Sequence, residues 1–105
     1  MWYIVLSRDA GKEEIKQRHT EEHRKWLDEQ HRVGRLLFSG PTSDRSYGIY
    51  IMLASSRSEA ERTAAQDPYY VHGARTMEVL EWDPRRAFRL NGPTIADVER
   101  MATGN

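Results

Sequence analysis

"YGIYIMLAS", residues 47–55, decides the fold. It is rich in β-branched and aromatic residues and contains no Pro, so it reads as a strand. With a period of two, Tyr47, Ile49, Ile51 and Leu53 share one face, and Tyr50 and Met52 share the other. Both faces are apolar, so both need cover.

Working back from this strand, "TSDRS" is a turn and "RLLFSGP" is a second strand closed by Gly40-Pro41. Between Lys12 and Val33 the chain is rich in Glu, Lys, Arg and Gln and has no Pro or Gly. That stretch predicts one long helix, ended by Gly34. "WYIVLS", residues 2–7, is the first strand. Working forward, Ser58-Glu59-Ala60-Glu61 fits a capping box in front of the short helix "EAERTAAQ", which Pro68 should stop. "ARTMEVLEW" is the fourth strand. Residues 84–105 form an arm, in which Thr94-Ile95-Ala96-Asp97 caps a last helical turn or two. Residues 1–83 make the globular domain.

The order βαββαβ predicts an α+β, ferredoxin-like sandwich with an antiparallel four-stranded sheet. Two helices cover one sheet face only. A second copy of the chain is the expected cover for the other, giving a homodimer packed through its sheets, with the arm placed to pack on the partner.

Composition narrows the function. The chain has 105 residues and 16 side chains of each charge, which disfavours nucleic acid as the main partner. It has no Cys, so disulfides and thiolate metal sites are excluded. No apolar run approaches the roughly 20 residues of a membrane span. "MWYIVLSRD" lacks the flanks of a secretory signal, so the expected compartment is the cytoplasm.

On a helical wheel, Ile15, His19, His23, Trp26, Leu27 and Gln30 fall on one side, toward the sheet. Two histidines on that face are either core residues with one partner each or general acids and bases. "HTEEH", residues 19–23, matches the H-x-x-E-H phrase of zinc hydrolases. No third ligand follows on a suitable helix, so the expectation is no metal and no cofactor. "LLFSGP" is either a plain strand end or a pocket wall. "DPYY" is either a helix stop with core aromatics or a place where a carboxylate is positioned. Trp2, Trp26 and Trp82 belong to the core or to a dimer interface.

Taken together, "EEHRKWL", "GRLLFSGP", "GIYIMLASS" followed by "SEAE", and "DPYYVHGARTMEVLEW" resemble the YciI family of YCII-related domain proteins. The resemblance runs from Met1 to about Trp82 and rests on the order and spacing of these phrases. It implies a ferredoxin-like dimeric α/β barrel with a His–Asp pair in a cleft. The helix His of the family falls on His23 and the Asp on Asp67. The resemblance brings in a dehydrochlorinase of a chlorinated hydroxyhydroquinone. The wider fold also includes muconolactone isomerase and cofactor-free oxygenases.

In this reading Asp67 fixes the tautomer of His23, whose other nitrogen moves a proton on a small cyclic or aromatic ligand. His19, Phe38, Ser39, Gly40, Pro41, Tyr69 and Tyr70 are the expected cleft walls. Backbone donors near Ser39-Gly40 would steady a developing oxyanion. The expected activity is a cofactor-independent lyase or isomerase. The alternatives are a non-catalytic dimeric small-molecule-binding protein and a cofactor-free monooxygenase.

Overall fold

The computed structural model describes residues 1–86 and 94–104. Residues 87–93 of the arm lie outside the described residues. Four strands form one antiparallel sheet: β1 Trp2–Asp9, β2 Leu36–Pro41, β3 Tyr47–Leu53 and β4 Arg75–Trp82. Their order across the sheet is β2-β3-β1-β4. The helices are α1 Glu13–Arg18, α2 Thr20–Arg32, α3 Arg57–Ala64, α4 Pro68–Val71 and α5 Ile95–Thr103. This is the ferredoxin-like α+β sandwich that the strand and helix order predicts.

The alternation in β3 sorts the core as expected. Tyr50 and Met52 point at the helices and join Tyr3, Val5, Leu36, Ala60 and Ala64 in the buried cluster. Burying each large side chain here stabilises by about 1.5–3 kcal/mol, which holds α2 and α3 on this face. Trp26 and Leu27 of α2 pack against the same cluster. The opposite face carries Ile4, Leu6, Ile49, Ile51 and Leu53, all only partly buried. Phe38 pairs with Ile51 in register and is 68 % exposed there.

Three local expectations need correction. The long helix of residues 12–33 is two helices, with His19 at the joint (φ −115°, ψ 11°). No Gly or Pro breaks it. The Thr20 hydroxyl donates to the Lys16 carbonyl at 2.9 Å, a back-bond that bends helices. The cap of α3 is Ser56, not Ser58: its hydroxyl accepts from the Glu59 amide at 3.1 Å. Two overlapping S-x-x-E phrases compete here, and β3 ends early enough for the first to win. Finally, Pro68 does not stop α3, which ends at Ala64, but opens α4. Proline suits the first helical turn, where its missing N–H costs nothing.

Gly34 ends α2 as predicted. The Arg35 amide donates to the Gln30 carbonyl and the Gly34 amide to that of His31, with Gly34 at φ +78°. These two bonds make a Schellman motif, which glycine adopts without strain. A Cβ at Gly34 would also overlap the Ala102 carbonyl of α5. Helix α5 therefore lies against its own chain. The Trp2 indole N–H donates to the Glu99 carboxylate, and Trp2 meets Trp82 edge to face with centroids 6.0 Å apart. The Thr94–Asp97 capping box forms, and it starts nine helical residues instead of one or two turns.

Candidate active site

Asp67 is the shared acceptor of a buried polar cluster on the covered face. It is 0 % exposed, and its carboxylate accepts three hydrogen bonds. The Tyr69 amide donates to Oδ1 at 3.0 Å, because Asp67 is the N-cap of α4 and Pro68 fixes the turn behind it. His23 Nδ1 donates to the same oxygen at 2.7 Å. The Tyr50 hydroxyl donates to Oδ2 at 2.5 Å. A buried carboxylate is costly unless its lone pairs are satisfied, and these three donors come from α2, β3 and the start of α4. Burial pushes the Tyr50 phenol far above its ordinary value, and the neighbouring Asp67 charge adds to the effect. Tyr50 therefore stays a neutral donor at any physiological pH.

His23 is held on two sides. Its ring stacks on Tyr69 with centroids 3.9 Å apart and planes 14° off parallel. The Thr20 hydroxyl, already donating to Lys16, accepts from the Tyr69 hydroxyl at 2.9 Å, which anchors that ring. With Nδ1 committed to Asp67, Nε2 is the ring nitrogen left for solvent or a ligand, and it has no hydrogen-bond partner among the described residues. His23 lines a cleft of about 380 Å³.

The cleft brings together His23, Ser39, Gly40, Pro41 and Tyr69 of the residues expected from the sequence. The Ser39 hydroxyl is within 2.8 Å of His31 Nε2, so part of its hydrogen-bonding capacity is already used. Three expected wall residues lie elsewhere. Phe38 points to the opposite sheet face, as its pairing with Ile51 requires. Tyr70 lies on the far side of α4, beside Glu61, Ala64 and Met77. His19 stacks on His72 outside the cleft, because the helix break ends the wheel that aligned it with His23.

Sequence reasoning missed Tyr50 and three arginines. Tyr50 shares the covered face of β3 with Met52, a signal that was available but pointed equally to plain core. Arg24, Arg45 and Arg75 line the cleft, and no carboxylate is among its lining residues. Arg75 donates to the Ser7 carbonyl at 3.0 Å and sits over the Tyr69 ring, 5.7 Å from its centroid. Arg45 occupies a left-handed position (φ 66°) in the β2–β3 hairpin. Their convergence depends on the hairpin and sheet register, which no local motif encodes.

Comparison with known proteins places this fold in a recognised class. A model of the YCII-related domain matches residues 1–83, and the chain belongs to that family. It is 31 % identical over 80 residues to the uncharacterised protein YjpA of Bacillus subtilis (strain 168), covering 76 % of this chain and 94 % of that one. Among solved structures it is similar to 5-chloro-2-hydroxyhydroquinone dehydrochlorinase (TftG) from Burkholderia phenoliruptrix AC1100, in complex with 2,5-dihydroxybenzoquinone. The TM-score is 0.67 at 20 % identity, covering 79 % of this chain and 94 % of that one. At that identity the likeness is one of fold. No helix among the described residues is long and apolar enough to cross a membrane.

Proposed function

We propose that this protein is a cofactor-independent acid–base catalyst, a lyase or isomerase, acting on a small cyclic or aromatic molecule that carries negative charge. One observation carries the reading: His23 presents Nε2 to a cleft while a fully buried carboxylate fixes Nδ1. In that tautomer Nε2 holds a lone pair and acts as the base. It takes a proton from an enolisable or phenolic position, and the released electron pair moves into the ring or its carbonyl. The proton then returns at another position, or a leaving group departs with its electrons. The second course is the chemistry of the similarly folded dehydrochlorinase.

Proton transfer by a positioned side chain contributes about 10²–10⁴ in rate. That suffices for a substrate with its own acidity and falls far short for a peptide bond. Arg24, Arg45 and Arg75 supply the substrate preference. Three guanidiniums in a chain of balanced charge make a local positive field that draws in an anion and holds a phenolate or carboxylate. Tyr69 forms part of an aromatic wall.

The working unit in this proposal is a homodimer. A second copy would cover Ile4, Leu6, Ile49, Ile51 and Phe38, which the helices leave open. Light scattering behind a sizing column measures the mass directly, and a monomer at micromolar concentration rejects it.

The activity test uses deuterium. The protein is incubated in D₂O with a panel of hydroxyhydroquinones, chlorinated and not, and carboxylated enol lactones. Proton NMR follows exchange at the ring carbons and ion chromatography follows chloride. Exchange or chloride release that falls at least about 100-fold in His23→Gln supports the proposal. Binding of panel members with no exchange favours the small-molecule-binding reading instead. Oxygen uptake during turnover favours the monooxygenase.

A further inference from the structure

A second cluster of titratable side chains lies outside the cleft. His19 at the α1–α2 joint and His72 at the end of α4 stack ring on ring, with centroids 3.5 Å apart and planes 4° off parallel. Glu22, one turn along α2, faces both. Its Oε1 lies 3.4 Å from His19 Nδ1 and its Oε2 lies 3.8 Å from His72 Nε2. One ligand atom from each of the three residues lies within 4.8 Å of the others.

We propose that His19, Glu22 and His72 bind a divalent transition-metal ion of the zinc class. Three protein ligands would leave at least one coordination position open. Two imidazole nitrogens and one carboxylate oxygen suit zinc, nickel, cobalt or copper and are poor ligands for magnesium or calcium, which require oxygen. Bonds of about 2.0–2.1 Å in a tetrahedral site hold the ligand atoms about 3.3 Å apart. The separations to Glu22 are already close to that. The lone pairs of stacked rings run side by side, so closing on an ion tilts them out of parallel. His72, 40 % exposed, has room for that rotation.

The site differs from the one the H-x-x-E-H phrase suggests. His19 and Glu22 are its first His and its Glu. The second His of the phrase, His23, has Nδ1 on Asp67 and its ring on Tyr69, and so faces the cleft. His72 takes its place from another element. An ion here pins the end of α4 to the start of α2, the two elements that carry the Asp67 cap and His23. Its role is to clamp the active-site wall, and no step of the proposed proton transfer passes through it. A metal clip that closes a long chain loop stabilises the fold by restricting the unfolded chain.

The experiment uses the untagged full chain, stripped with chelator. Calorimetric titration with zinc chloride, repeated with nickel chloride, should give one ion per chain with a dissociation constant in the micromolar range. Glu22→Gln and His72→Asn should each weaken binding at least about tenfold, while His23→Gln should leave it unchanged. Both altered side chains are exposed, and circular dichroism checks that the variants fold. In NMR, zinc should shift the His19 and His72 ring signals and leave those of His31 in place. No saturable binding below millimolar metal overturns the proposal. So does an affinity that neither variant changes, or binding that His23→Gln abolishes.

Discussion

The two faces of this sheet are built from the same strands and meet opposite fates. On the covered face, Tyr3, Val5 and Met52 are 0 % exposed, and a polar cluster of Asp67, Tyr50 and His23 is set among them. On the other face, Ile49 and Ile51 are half-buried, while Leu80 and Trp82 are each 41 % exposed. Helices α2 and α3 account for the difference. They seal one face well enough that a carboxylate there must be fully paired, and they leave the other face apolar and open. The covered face is where chemistry can be protected from water. The open face is where association can be driven by the hydrophobic effect.

Substitutions that separate the two faces test this contrast. The largest stability effect should come from Asp67→Ala on the covered face. It removes the acceptor of three donors, so urea unfolding should show a loss of about 3–5 kcal/mol. A loss below about 1 kcal/mol would mean the cluster is wetter than its burial indicates.

Tyr50→Phe comes next, with an expected cost of about 1–3 kcal/mol, since one carboxylate oxygen loses its donor. It also has a signature in alkali. The Tyr50 phenol is raised in the folded state above its ordinary value of 10.0. Below pH 10 both states keep the proton and stability is unaffected. Above it the unfolded chain releases the proton while the folded chain retains it, so stability falls as pH rises. The wild-type protein should therefore lose stability above pH 10 more steeply than Tyr50→Phe. Parallel slopes in alkaline urea titrations would contradict a buried phenol.

On the open face the expected response is of another kind. Ile51→Glu should cost under about 1 kcal/mol in the stability of one chain, yet abolish self-association in light scattering. If the mass is unchanged by Ile51→Glu, this face is not the dimer interface.

The smallest effect is expected away from both faces, at Asp44 in the β2–β3 hairpin. The Ser46 hydroxyl and amide and the Thr42 hydroxyl lower its carboxyl to about 2. A lowered pKa gives stability that is present above the ordinary value of 3.8 and fades as pH falls toward 2. Asp44→Asn should leave the urea midpoint at pH 7 close to that of the wild type. Its melting temperature should also vary less than that of the wild type between pH 4 and pH 2.

Much of this architecture is local and was legible in the chain. The period-two pattern of residues 47–53 assigns Tyr50 and Met52 to one face and Ile49 and Ile51 to the other, because a strand gives its side chains no third option. Gly34 ends α2 because the left-handed position there favours glycine, and Thr94 and Asp97 sit at capping-box spacing. The pairing of His23 with Asp67 was legible through resemblance only; composition left Asp67 an ordinary residue at a helix end. The helix wheel misplaced His19 because it assumed a continuous helix, and Thr20 interrupts it with a back-bond to Lys16. Adjacency in sequence groups Phe38 with Ser39, but neighbours in a strand face opposite ways, and only Ser39 reaches the cleft.

The sequence by itself determined the four strands, the helical stretches between them and the two apolar faces of the sheet, since these follow from periodicities of two and 3.6 residues and from local caps. Only the tertiary structure decided what gathers at each point. Tyr50 completes the Asp67 cluster, Arg24, Arg45 and Arg75 converge on one cleft, and His72 rather than His23 meets His19 and Glu22. Those meetings join residues from separate elements, and they are set by sheet register and helix packing, which no short stretch of chain carries.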